Sequence, residues 1–346
     1  MSSEGFRFSF ADNETEEVVP GNTDISISME TETALLPLWK FPAFTLSDHL
    51  LAEWAAQYPN NPNHRMELVS DGVVNFPPLL YQRAPHVSQL TAGNGQEERD
   101  IVPGRYYGGL KVWSCAPYLV EYIFANREIF QKLFLTDDKL CNSASEEQNG
   151  ENALGESIVA EVGCGQGLPG IAALLLGARR VVFQDYNEEV LELCVKPNIG
   201  VNLLRHTSGL ELCKKHSLPL PIMVHMVSGD WNSLQWENCV NNNNNNNNNN
   251  NREGNTHEYR CKVVLGSDVT FDEEACEKLA AMLKRCLSPE NGVAYIASKQ
   301  YYFGTNGGVL EFQRRAEAHG LEVTEVSRKE TVGEMQRSIV QVRKRC

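Results

Sequence analysis

The sequence predicts an α/β protein: a mainly parallel sheet with an antiparallel C-terminal strand, plus a small N-terminal accessory region. Three observations carry this. From residue 157 onward, short apolar runs alternate with amphipathic stretches of helical period. The first of those runs ends in a glycine-rich turn, EVGCGQG at 161–167, that opens a helix. The chain closes with two strand-like segments, 321–327 and 337–344, with no helix between them. Consecutive strands of that kind pair antiparallel.

Each element has its own signal. Residues 44–57 (FTLSDHLLAEWAAQ) read as a helix capped by Ser47 or Asp48, with Leu50, Leu51, Trp54 and Ala55 on one face. Residues 66–82 read as a hairpin turning at Asp71-Gly72, and 91–100 as a polar loop. A long amphipathic helix is expected over 116–132. Then come a strand at 157–163, a helix at 168–178 with Gly177 near its end, and a strand at 180–185. The next helix, 188–204, contains Pro197, where a bend is expected. Segment 221–230 holds a third strand and 261–268 a fourth. A helix over 273–287, a strand over 292–299 and a helix over 309–320 follow.

At 346 residues the chain has room for two domains, or for one with large appendages. A 42% hydrophobic content excludes full-length disorder. The net charge of −14 is unevenly spread. Residues 1–35 carry eight acids and one base, and residues 136–156 carry six acids and one base. Those stretches contribute −7 and −5, leaving about −2 for the rest. Non-specific binding to naked nucleic acid is therefore not expected, whereas a basic protein substrate is compatible with the acidic flanks. Residues 1–32 are expected to be a disordered acidic tail, 33–100 an accessory helix and hairpin, and 101–346 the main domain. The acidic insert 136–156 and the run Asn241 to Asn251 are expected as surface excursions of that domain. The ten cysteines show no C-x-x-C pair and no zinc-type spacing, which fits reduced thiols inside a cell and predicts no metal site. No run of 18 apolar residues is present, so no transmembrane helix is expected.

Four motifs fall at the carboxyl ends of predicted strands, where open α/β sheets bind ligands. Glu161, Gly163 and Gly165 belong to the glycine turn. Its spacing is G-x-G-x-G, and Leu168 stands where a dinucleotide fingerprint needs glycine. That departure favours a nucleoside cofactor without a pyrophosphate. Asp185 ends the second strand, twenty residues after Gly165, where a carboxylate can accept both hydroxyls of a ribose. Gly229, Asp230 and Trp231 follow the third strand and suit an adenine ring and its amine. Ser267 and Asp268 close the fourth strand, where an acid can orient or deprotonate a nucleophile.

Taken together, these motifs resemble the seven-strand S-adenosylmethionine-dependent methyltransferases. More narrowly, PGRYYGGLKVWSCAPYL (103–119), FQDYN (183–187), GDWNSL (229–234), GSDVTF (266–271) and SKQYYFGTNGGVLEF (298–312) resemble the eukaryotic protein-histidine methyltransferases that modify ribosomal protein L3. The resemblance covers most of residues 103–346. It implies that Trp113, Ser114 and Cys115 line the cofactor pocket. It also implies that Glu161, Gly163 and Gly165 hold the methionine end of S-adenosylmethionine. Gln184, Asp185 and Tyr186 would hold the ribose, and Gly229, Asp230 and Trp231 would flank the adenine. Ser267 would border the methyl group, with Asp268 catalytic. Asp268 and Phe271 stand where relatives often carry Glu or Asp and Tyr. The substrate implied is a protein, ribosomal protein L3, and the location is cytoplasm and nucleus. Neutral imidazole can attack a methyl group directly, so Asp268 is expected to accept the other ring N–H and fix the tautomer. The segment Tyr301-Tyr302-Phe303-Gly304 is expected to wall the ring. Two rival readings are a lysine methyltransferase of the same branch and a non-catalytic cofactor-binding assembly factor. A nicotinamide-dependent dehydrogenase ranks last because of Leu168.

Overall fold

The apolar runs become strands because each buries both faces, and the glycines and acids that bound them end the ladders. A computed structural model describes residues 36–37, 42–58, 65–68, 78–84, 100–134, 158–205, 222–235, 260–330 and 335–345. The acidic tail 1–32, the Asp71-Gly72 turn, nearly all of loop 91–100, the insert 136–156 and the run Asn241 to Asn251 lie outside those residues.

In chain order the elements are β1 (Leu36–Pro37), β2 (Ala43–Thr45), α1 (Asp48–Ala56), β3 (Arg65–Leu68), β4 (Leu79–Gln82), α2 (Cys115–Ala125), α3 (Arg127–Phe134) and β5 (Ile158–Val162). Next come α4 (Leu168–Leu175), β6 (Arg180–Asp185), α5 (Glu188–Val190), a π-helical turn (Leu191–Val195), α6 (Lys196–Arg205), β7 (Met223–Ser228), a 3-10 turn (Trp231–Ser233) and β8 (Leu234–Gln235). The last are β9 (Cys261–Ser267), α7 (Glu273–Cys286), β10 (Val293–Lys299), α8 (Val309–Ala318), β11 (Leu321–Lys329) and β12 (Arg337–Lys344).

Eight strands form one sheet in the order β11-β12-β10-β9-β5-β6-β7-β2. Strands β10, β9, β5, β6 and β7 are mutually parallel. The antiparallel closing strand is β12, and it slots between β10 and β11 rather than forming the edge itself. The opposite edge is β2, antiparallel to β7. The chain steps from β5 through β6 to β7, then returns to the other side of β5 with β9. The crevice at the carboxyl ends of β5 and β9 is therefore the switch point.

Side chains alternate between two cores, as the two-residue strand period requires. Val159, Val181, Phe183 and Leu265 face one core with α1, α2, α3, α4 and α6. Ala160, Val182, Val264 and Ile296 face the other with α7 and α8.

Three helix expectations are refined. The helix over 44–57 starts only at Asp48, because Ser47 caps it and accepts the Leu50 N–H at 3.2 Å. Residues 43–45 before it extend the sheet. The helix over 116–132 breaks at Asn126, whose backbone N–H and Nδ2 both bond the Tyr122 carbonyl, at 3.0 and 2.9 Å. The helix over 188–204 widens into the π turn before Pro197. Proline supplies no N–H to the turn before it, and the Leu193 carbonyl instead accepts from Gln82 Nε2.

Strands β3 and β4 pair antiparallel, but with Leu68 opposite Leu79, so ten residues separate the paired ends and the register is not that of a two-residue turn at Asp71-Gly72. The pair is clamped to α6 by Asn202, which accepts the Leu80 N–H at 2.8 Å and donates to the Leu80 carbonyl at 2.7 Å. Helix α1 approaches α6 at Gly200, where an added Cβ would lie 2.5 Å from the Ala55 nitrogen and 2.7 Å from the Leu51 oxygen. Gly200→Ala is therefore expected to destabilise the fold by about 1–3 kcal/mol, although alanine is the better helix former. Urea denaturation reads this out; a raised midpoint would contradict the close approach.

Candidate functional site

The end of β6 organises the site. Asp185 accepts the Gly165 N–H on Oδ2 at 2.9 Å and the Asn187 N–H on Oδ1 at 3.1 Å. Gln184 beside it accepts the Gly163 N–H at 3.1 Å and the Trp231 indole N–H at 2.7 Å, and donates to the Gly229 carbonyl at 2.9 Å. Two adjacent side chains thus tie the loop after β5 to the loop after β7. The glycine turn itself needs left-handed backbone at Gly163 and Gly165, with φ of +56° and +51°. Burial pushes the Asp185 carboxyl up to about 6, against the opposing pull of its backbone N–H partners.

The segment before α2 lies directly over this turn. A Cβ on Gly109 would meet Asp185 Oδ2 at 3.0 Å, and one on Gly165 would meet the Gly109 oxygen at 3.3 Å. Staples hold the segment down: Gln166 Nε2 donates to the Leu110 carbonyl at 3.0 Å, Asn187 Nδ2 to the Arg105 carbonyl at 2.7 Å, and the Tyr186 hydroxyl to the Gly104 carbonyl at 3.1 Å. The paired glycines of GGLKVW are the close-approach residues of this roof.

Asp268 organises the other half. It is the one non-glycine among the described residues with positive φ, at +54°, a conformation that aspartate tolerates better than most. Its Oδ2 accepts the Cys115 N–H at 2.8 Å, at the start of α2, and its Oδ1 accepts the Tyr302 hydroxyl at 2.8 Å. Lys299 Nζ stands 3.8 Å from Oδ1. One carboxylate therefore joins α2, the loop after β9 and the loop after β10. Burial first, and then the Asp268 charge, pushes the Tyr302 phenol well above its usual value.

Between these two halves lies a cavity of about 530 Å³. Trp113, Gly163, Gly165, Gln184, Asp185, Tyr186, Gly229, Asp230, Trp231, Ser267 and Asp268 all line it. Ser114, Cys115 and Glu161 do not. The Ser114 carbonyl accepts from Arg337 Nη1 at 3.3 Å, Cys115 is buried beneath the roof, and Glu161 is fully buried under the turn, accepting the Gly170 N–H at 2.7 Å. Asp230 caps the 3-10 turn through Oδ1 and pairs with Lys278 through Oδ2 at 2.7 Å. Of the aromatic trio, Tyr302 and Phe303 line the cavity and Tyr301 does not.

Sequence reasoning missed Lys299, Tyr107, Gly108 and Gly109 as individual lining residues. A lysine ending the apolar run VAYIAS at the carboxyl end of a strand was the available signal for Lys299. The pair Asp268–Tyr302 is testable by itself. Tyr302→Phe strips Oδ1 of its donor and is expected to cost about 1–3 kcal/mol. An unchanged urea midpoint would mean that solvent replaces the phenol freely.

No protein-family profile matches the chain. Among solved structures, a magnesium protoporphyrin IX methyltransferase from Synechocystis PCC 6803 with bound SAM aligns over 67% of this chain and 86% of that one. The TM-score is 0.33 and the identity 12%, too loose to bear on activity. Sequence relatives say more. A histidine protein methyltransferase 1 homolog of Dictyostelium discoideum is 30% identical over 217 residues, 63% of this chain and 51% of that protein. A homolog of the same name from Rattus norvegicus is 29% identical over 230 residues, 64% of this chain and 53% of that protein. The histidine protein methyltransferase 1 of Schizosaccharomyces pombe is 25% identical over 226 residues, 62% of this chain and 58% of that protein. The chain spans about half the length of the curated relatives it matches. Over that shared stretch it is similar to proteins named histidine protein methyltransferase 1.

Proposed function

We propose that this chain transfers a methyl group from S-adenosylmethionine to a histidine imidazole of a protein, with ribosomal protein L3 as the substrate and the cytoplasm and nucleus as the location. The observation that carries the cofactor half is the Asp185 carboxylate, set at a strand end over a glycine turn and under a glycine roof. A Cβ at Gly109 would crowd that carboxylate and Val190, so the roof can close on Asp185 only with glycine there. The Asp185 oxygens accept from the Gly165 and Asn187 N–H groups, with the Tyr186 N–H a third backbone donor, which leaves about one of four lone-pair sites for a ribose hydroxyl. The names of the relatives support histidine as the acceptor.

When bound, the cofactor would supply an electrophilic methyl on a sulfonium. The chain's work is alignment and exclusion of water. Gln184 and Asp185 would position the nucleoside half, and Trp231 is held beside it by the indole bond to Gln184. A histidine near its ordinary pKa of about 6.5 is largely neutral at pH 7.5, so no strong base has to activate it. The ring nitrogen that receives the methyl leaves the other nitrogen's N–H to be lost. Asp268 is the carboxylate placed to accept that N–H. It is fixed by Cys115 and Tyr302, each occupying only one lone pair of its oxygens.

A transfer assay tests the reaction. Labelled S-adenosylmethionine is incubated with the chain and either unmodified large ribosomal subunits or free L3-type protein. The product is then hydrolysed and the methylated amino acid identified by mass spectrometry. Methylhistidine on L3 is expected. Methyllysine would move the chain to the neighbouring branch, and cofactor binding without transfer to either substrate would support a binding factor. Asp268→Asn is expected to lower kcat at least tenfold with the cofactor Kd little changed; a wild-type rate at saturating substrate would remove Asp268 from the chemistry.

The Asp185 carboxyl supplies a second test. With its pKa near 6 it is ionised at pH 7.5 and mostly protonated at pH 5. A site that needs the anion should lose affinity as pH falls through 6, by about tenfold at pH 5. Titration calorimetry with S-adenosylhomocysteine should show this loss, and Asp185→Asn should bind weakly with a flat profile. A wild-type profile flat from pH 7.5 to 5 would argue that Asp185 holds the loop and not the ribose.

A further inference from the structure

Among the described residues, the cavity contains one cation that the proposed cofactor can use. Three lysines line it: Lys111, Lys278 and Lys299. Lys111 is committed to Asp100 at 2.8 Å. Lys278 is committed twice, to Asp230 at 2.7 Å and to Glu274 at 2.6 Å. Lys299 differs. Its nearest carboxylate among the described residues, Asp268, stays at 3.8 Å, beyond hydrogen-bond distance. That carboxylate already takes shorter bonds from Cys115 and Tyr302. The Lys299 ammonium lies instead against two aromatic faces, 5.4 Å from the Trp113 centroid and 5.0 Å from that of Tyr302. An ammonium on such faces is attracted but keeps its donors unspent.

Its place in the cavity matters equally. Asp185 marks the ribose end and Trp231 the adenine end. Along the carboxyl edge of the sheet the strands run β7, β6, β5, β9, β10, so Lys299 at the end of β10 stands across β5 and β9 from Asp185 at the end of β6 and Trp231 after β7. The amino-acid end of a nucleoside cofactor would therefore reach Lys299. S-adenosylmethionine carries a single anionic group, its α-carboxylate. Carried into a cavity that five acids also line, this carboxylate needs a cation with free donors.

We propose that Lys299 is a cofactor-binding residue whose ammonium receives the α-carboxylate of S-adenosylmethionine. The inference rests on the cofactor reading above. A charge-assisted bond of this kind contributes enough to change affinity about 10- to 100-fold. Lys299→Met keeps the aliphatic stem against Trp113 and Tyr302 while removing the charge.

The test pairs that deletion with one in the ligand. Titration calorimetry would measure S-adenosylmethionine and its decarboxylated analogue on wild type and on Lys299→Met. Expected is a Kd for S-adenosylmethionine about 10- to 100-fold weaker in the variant, with the decarboxylated analogue bound equally by both proteins. Equal binding of the analogue also shows that the variant pocket is folded. Loss of both ligands alike would overturn the proposal and make Lys299 a support of the pocket. An unchanged Kd for S-adenosylmethionine would overturn it too. Wild-type protein that binds neither ligand would defeat the cofactor reading itself, a result distinguishable from the other two.

Discussion

The bond from the Gly165 N–H to the Asp185 carboxylate is the constraint on which the site depends. A turn with three left-handed glycines, Gly163, Gly165 and Gly167, has no reason to hold one shape unaided, because glycine loses more freedom on ordering than any other residue. Asp185 and Gln184 offset that loss by supplying acceptors at the end of a strand buried on both faces. The same acceptors also need the turn. A carboxylate in that position is costly to ionise, as its rise to about 6 records, and the backbone donors hold it from rising further. Loop and carboxylate are mutually stabilising, and each is shaped for a third participant that brings hydroxyls.

Asp268 plays the matching part across the cavity. The two nodes differ in what they hold. Asp185 holds the loop after the neighbouring parallel strand β5 and its own following turn, which the sheet already brings close. Asp268 holds elements far apart in sequence: Cys115 lies 153 residues before it and Tyr302 lies 34 after it. Loop closure over such distances is unfavourable in entropy, so this node must be strong to persist. Its left-handed backbone fits that view, since strain at one residue survives only where surrounding bonds over-determine it. The catalytic role proposed for Asp268 therefore sits on a residue that is also structural. An isosteric change to Asn separates the two roles better than truncation to Ala.

Much of this was legible in the sequence, and the reasons are specific. The strands at 180–185 and 337–344 match their segments end to end, because β-branched runs bounded by charged residues or glycine admit few alternatives. The two acids and the glycine turn were legible because parallel-sheet topology restricts where a ligand can sit. Other features were not. A three-residue edge strand such as β2 has no periodicity to read, and it exists because β7 offers an open edge. The place of β12 between β10 and β11 depends on register over eight residues, which local signals do not encode. Lys299 escaped notice because a lysine at a strand end usually reads as a solvated terminus, and only the aromatic faces of Trp113 and Tyr302 show otherwise.

Glu161 shows how resemblance and geometry divide the labour. The resemblance assigned it to the cofactor, yet it is fully buried below the turn and does not line the cavity. Its Oε2 accepts the Gly170 N–H, while Oε1 has no hydrogen-bond partner among the described residues. An ionised carboxylate left that way would be prohibitive, and burial, more than the Asp185 charge nearby, holds its carboxyl well above the usual range. A neutral acid in that position can anchor α4 without adding a second negative charge beside Asp185. Two carboxyl groups close to one glycine turn can then divide the work: one stays neutral and fixes the helix, and the other ionises to meet the ligand.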